Sequence, residues 1–137
     1  MGAWGTGPFE NDGAGELLAS IRAGGPVFDT LGWAIDDDYL EVDGGQIALA
    51  LVDLALVCLG TRTPAPALSG LDLAPLVAEL SGARLDWILA LADRTLSGTE
   101  ASELYELWEE TDTLAEWLRP AEQSVSELKT HRERTWA

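Results

Sequence analysis

One cysteine, one histidine and eight Lys and Arg residues among 137 positions leave little of the usual chemistry of active sites. A lone Cys58 excludes both an intramolecular disulfide and a multi-cysteine metal cluster, and its apolar neighbours mark it as a core thiol. The only histidine, His131, stands among Lys129, Arg132 and Arg134 near the chain end. That setting predicts an exposed tail rather than a general base or metal ligand. There is no phosphate-binding glycine loop with a lysine and no recognisable ligand spacing. No apolar run reaches membrane-spanning length, and the amino terminus lacks the basic region and apolar core of a signal peptide, so the expected location is the cytoplasm. No period-2 alternation is long enough for a strand, and no structural repeat recurs.

What the sequence has in excess is negative charge. Twenty-four Asp and Glu against eight Lys and Arg give a net charge of −16. Residues 1–60 hold ten carboxylates and only Arg22. Such a surface repels phosphate backbones and anionic headgroups, which makes nucleic acid and membranes poor partners and a basic protein a good one. At 47% hydrophobic with six Trp, the chain is too apolar to stay disordered, and its length suits one domain with one core.

The pattern along the chain is helical. In Met1–Leu18, Gly2, Gly5 and Gly7 hinge a loop whose Trp4 and Phe9 are too large to bury within it, so the loop over residues 1–10 must dock on a core. A backbone nest for an anion is the alternative use of those glycines, but Glu10 and Asp12 are its nearest charges. Asn11 or Asp12 offers a side-chain oxygen to a helix beginning there, and Gly24-Gly25 ends it. Pro26 opens a second helix carrying Val27, Phe28, Leu31 and Ile35, with Trp33 off that stripe. The run Asp36-Asp37-Asp38 is a weak candidate for a divalent cation without the ligand spacing of a calcium loop; Asp43 after it is placed to cap the next helix. Gln46–Leu59 is apolar around most of its circumference and is the expected central helix. Its one charge, Asp53, needs donors, either the opening loop's amides or an arginine such as Arg84 or Arg94. Residues 61–71 form a surface connection. Further helices follow over Asp72–Leu80, Arg84–Leu96, from Thr99 through Trp108, and from Leu114 to Pro120, which should kink or restart the helix, with a weaker one to Glu133 and a frayed tail over 131–137.

The fold class so predicted is all-α: a single-domain bundle of six to seven helices over residues 1–137. The start Gly2-Ala3-Trp4-Gly5-x-Gly-x-Phe9-Glu10-Asn11-Asp12 resembles that of a family of small bacterial proteins designated domain of unknown function 4259. Ser102-Glu103-Leu104-Tyr105-Glu106-Leu107-Trp108-Glu109-Glu110 resembles its second recurrent block. The resemblance implies a single helical unit and brings no activity, cofactor or catalytic residue with it. Trp4, Phe9, Asn11, Asp53 and Trp108 are the structural positions to watch. Three roles fit these features: an interaction module that neutralises or regulates a basic partner, a carboxylate- or metal-dependent enzyme, and a structural or assembly subunit. Absence of an activated histidine or cysteine weighs toward the first.

Overall fold

Thirteen consecutive residues of one helix, Gly44 to Leu56, are buried, and the other helices are arranged around them. The computed structural model describes residues 5, 7–24, 28 and 39–135. Trp4, Trp33, the run Asp36 to Asp38 and, except for Phe28, the helix expected after Pro26 lie outside the described residues. Among the described residues there are six α-helices: α1 (Asp12–Ala23), α2 (Val42–Cys58), α3 (Ala74–Glu79), α4 (Gly82–Leu96), α5 (Glu103–Glu109) and α6 (Leu114–Thr135), with a 3₁₀ turn at Pro66–Leu68. They contain no strand; the sole sheet-like pairing described is an isolated parallel bridge between Leu40 and Ser102. Helix α2 packs against all five of the others, and α4 and α5 each also contact α6. The all-α bundle expected from the pattern is the fold observed.

Helix α2 begins four residues before the predicted Gln46. Asp43 is not its cap; it lies inside the first turn, where a carboxylate still favours the helix dipole. The amide of Val42 instead donates to Glu103 Oε1 at 3.0 Å, a partner 61 residues away. The same corner is fastened by the Leu40 amide to the Ala101 carbonyl and the Glu103 amide to the Leu40 carbonyl, both 2.9 Å. Helix α5 consequently starts at Glu103 behind a Ser102 cap, not at Thr99, because residues 101–103 are committed to this bridge.

Pro120 does not restart the last helix. Helix α6 runs through it as one element, since Trp117 before it and Val125 and Leu128 after it are all buried on the same core, and packing outweighs one missing backbone donor. The helix continues through residues 131–135, where Arg132 donates to both carboxylate oxygens of Asp86 at 3.0 and 3.1 Å. Lys129 pairs with Asp93 at 3.0 Å one turn earlier, so two cations line α6 up with α4. Arg84 is engaged elsewhere, its guanidinium 4.1 Å over the ring of the buried Phe28.

Helix α1 is capped as predicted. Asn11 Oδ1 accepts from the Ala14 amide at 2.8 Å, and Gly24 ends the helix with φ of 80°, a conformation glycine adopts freely. Its two internal glycines differ in kind. A Cβ on Gly13 would lie 2.6 Å from Gln46 Cβ and 2.9 Å from the Asp43 carbonyl oxygen, so α1 can approach the start of α2 this closely only without a side chain there. Around Gly15 nothing lies within 4 Å.

Gly15→Ala should therefore raise stability by about 0.5–1 kcal/mol, the helix-propensity gain, whereas Gly13→Ala should lower it by about 1–3 kcal/mol through overpacking. Chemical denaturation of the two variants checks both signs. A second outcome concerns Glu16, whose pKa is raised by partial desolvation and then by the charges of Asp43 and Asp12. The folded protein thus holds this proton more tightly than the unfolded chain, so ionisation costs stability as pH rises. Glu16→Gln should melt higher at neutral pH and lose that advantage below the ordinary glutamate value of 4.5.

Candidate functional site

The opening loop is closed on itself before it meets the helices. The Glu10 carboxylate accepts from the Gly7 amide at 3.1 Å, and the Glu10 amide donates back to the Gly7 carbonyl at 3.2 Å. That internal carboxylate occupies the Gly7 amide, one of those a backbone nest for an anion would use. Phe9 is half-buried and packs against the core. Helix α1, which follows the loop, is joined to α2 through Gln46, a buried side chain whose Oε1 accepts from the Gly13 amide at 2.9 Å.

Between this loop, α2, α5 and α6 lies a cleft of about 310 Å³. Leu49 and Val52 of α2, Leu104 and Trp108 of α5, and Trp117 of α6 form its apolar wall. The two indoles stack with centroids 6.0 Å apart and planes 13° apart, and Tyr105 meets Trp117 edge-on at 6.1 Å. Trp108 and Trp117 are buried; helical spacing from Leu104 and Leu114 aims both at α2, and their stacking ties α5 to α6.

The polar side of the cleft is an ion-pair network. Asp53, with a side chain only 7% exposed, accepts from Arg62 Nη1 through Oδ1. The same nitrogen reaches Ser124 Oγ at 3.0 Å, and Nη2 reaches Glu127 Oε2 at 3.0 Å. Partial burial by itself lowers the Arg62 pKa, but the hydrogen bond and charge of Asp53, reinforced by Glu127, outweigh it and hold the guanidinium charged. Asp53 is buried with a donor, as its sequence context demanded, yet the donor is neither Arg84 nor Arg94 nor a loop amide. It comes from the connection after Gly60, which turns back at φ of 76° and returns Arg62 along the end of α2.

The remaining candidates lie apart from this network. Cys58 is half-buried, and burial pushes its thiol up, away from the reactive thiolate. His131 is half-buried on α6 and borders a separate shallow depression with Thr61 and Thr130, rather than standing on an exposed tail. Among the described residues no three His, Cys, Asp or Glu side chains gather as a metal site, and no helix is long and apolar enough to cross a membrane. Sequence reasoning missed Arg62, Ser124 and Glu127. The available signal was the i, i+3 pair Ser124 and Glu127 on one face of α6, facing a lone arginine just past the central helix.

A small all-helical protein with an aromatic-walled cleft around an internal ion pair is the class that fold and site define. The chain belongs to the family described as Domain of unknown function (DUF4259), whose model matches residues 2–120. That span includes both the glycine-rich start and the Ser102–Glu110 block. No curated protein and no solved structure matches the chain.

Arg62→Met strands the Asp53 carboxylate in the bundle and should cost about 2–3 kcal/mol. Glu127→Gln, at a side chain 36% exposed, should cost no more than about 1 kcal/mol. Asp53→Asn introduced alongside Arg62→Met should restore part of the loss, because the stranded group is then neutral. Urea unfolding of the three variants measures the order.

Proposed function

We propose that this protein is an interaction module that recruits a basic protein partner through the anionic face of α5 and the turn that follows it. The observation that carries this reading is the uncompensated charge of that face. Glu106, Glu109, Glu110 and Asp112 are all exposed, as is Glu116 in the first turn of α6, and no Lys or Arg occurs between Arg94 and Arg119. On the α4–α6 side, by contrast, carboxylates are matched by cations, as in Lys129 with Asp93 and Arg132 with Asp86. A potential of one sign concentrated on one face steers an oppositely charged partner and raises its association rate.

The enzyme alternative draws little from the cleft, because the buried carboxylate already holds an arginine, and the Ser124 hydroxyl that shares this arginine has no histidine to activate it, the one histidine, His131, bordering the separate depression. An assembly role would use the same acidic face. A basic partner recovered from the native cell at low salt should bind the purified protein with an affinity that falls at least about tenfold between dilute and physiological salt. Replacing Glu106, Glu109 and Glu110 together by Gln should slow association and flatten the salt dependence. Recovery of no partner at low salt, or binding indifferent to salt, would defeat the proposal.

A further inference from the structure

We infer that the cleft between the opening loop, α2, α5 and α6 is a binding site for a small uncharged molecule that carries an aromatic ring system and one hydrogen-bond acceptor. It is independent of the partner proposed above, which meets the outward face of α5. The charged residues lining the cleft are Asp53 and Arg62, and they are paired with each other, so the lining carries no net charge. Its buried polar side chains are committed in the same way: Asn11 Oδ1 holds the Ala14 amide, and Gln46 Oε1 holds the Gly13 amide. Among the described residues no fully buried side-chain nitrogen or oxygen lacks a partner. A cation entering the cleft finds its acceptor already matched by Arg62, and an anion finds that arginine already held by two carboxylates. Either would shed its water without a matching group in return, a penalty that an uncharged molecule does not meet.

One donor in the cleft is unspent. Ser124 Oγ takes part in one hydrogen bond, as acceptor from Arg62 Nη1 at 3.0 Å, and its own proton meets no acceptor among the described residues. A hydroxyl that accepts from a guanidinium is polarised toward donating, and Ser124 is half-buried where it lines the cleft. It is placed to donate to a carbonyl oxygen or a ring nitrogen. The apolar wall supplies the rest of the recognition. Trp108 and Trp117 stack on each other, and Tyr105 meets Trp117 edge-on, so the indoles are fixed before a ligand arrives. A further ring adds to them by offset or edge-to-face contact, with Leu49 and Val52 beside it. The volume of about 310 Å³ stands at the lower end of the roughly 300–1,000 Å³ typical of ligand pockets, and is about twice the roughly 150 Å³ that takes benzene. Two fused rings with a short substituent fit that space, and a helix or strand of a protein does not.

The test uses the whole protein and three molecules of one shape, 2-naphthamide, 2-naphthoate and 2-naphthamidine, which at neutral pH are uncharged, anionic and cationic. Binding is followed through the indole N–H resonances. 2-Naphthamide should shift Trp108 and Trp117, and bind at least about tenfold more tightly than either charged analogue, because neither charge finds a free partner in the cleft. Ser124→Ala should weaken 2-naphthamide about two- to tenfold, the worth of one net hydrogen bond. Ala121→Phe, which fills the cleft from its α6 side, should abolish binding. No saturable shift with 2-naphthamide, equal or tighter binding of a charged analogue, or shifts confined to the other indoles would overturn the site, as would a 2-naphthamide affinity indifferent to Ala121→Phe. An affinity indifferent to Ser124→Ala would overturn the hydroxyl as the donor. The comparison of the three analogues is made on the unaltered protein, so its result stands whether or not a variant folds.

Discussion

A carboxylate fixed in the middle of an otherwise apolar helix is the constraint to which the rest of this bundle answers. Asp53 cannot stay charged among Leu, Ala and Val without a donor, because an unpaired buried ion costs several kcal/mol. Arg62 meets that need from nine residues away, and the consequence spreads. The connection after α2 must double back, and α6 must bring Ser124 and Glu127 to the other side of the guanidinium. One ion pair thereby sets the path of a loop and the rotation of a helix whose contacting residues lie 62 and 65 positions later. A purely apolar α2 would pack as well and would specify neither.

The amino-terminal end of the central helix is governed by a different economy, that of backbone amides. Gln46 serves Gly13, Asn11 serves Ala14 and Glu103 serves Val42, so three helix-start amides find side-chain acceptors, two of them on other elements. Hydrogen bonds of this reach bind α1, α2 and α5 into one corner in a way that apolar contact, being non-directional, does not. Gly13 is the steric condition for it, since the Gln46 side chain occupies the space a Cβ would take.

Period and punctuation made the helices legible. The burial of α2 followed from a composition apolar around most of its circumference, α1 from Asn11 and Gly24, and α4 from Leu85, Ile88, Leu89 and Ala92 on one face. Boundaries went astray where a distant group intervened: Glu103 at the start of α2, the Leu40–Ser102 bridge before α5, and core packing across Pro120. The site was half legible for the same reason. A lone Asp in an apolar helix announces that a partner exists, but nothing local tells Arg62 from Arg84 or Arg94, and a ring such as Phe28 can claim one of them first. Partner choice is a property of the assembled bundle.

The same selection accounts for where the negative charge ends up. Few cations are available, and several are committed to holding helices together: Arg62 inside the cleft, and Lys129 and Arg132 between α4 and α6. Pairing them there leaves α5 with acids alone. A net charge of −16 spread evenly would act mainly to keep the protein soluble; with cations gathered between α4 and α6, the excess is left on α5 and on residues 1–60, where ten carboxylates face only Arg22. Since exposed pairs of this kind add little to stability, their positions on α4 and α6 bear as much on the shape of the surrounding field as on the strength of the fold.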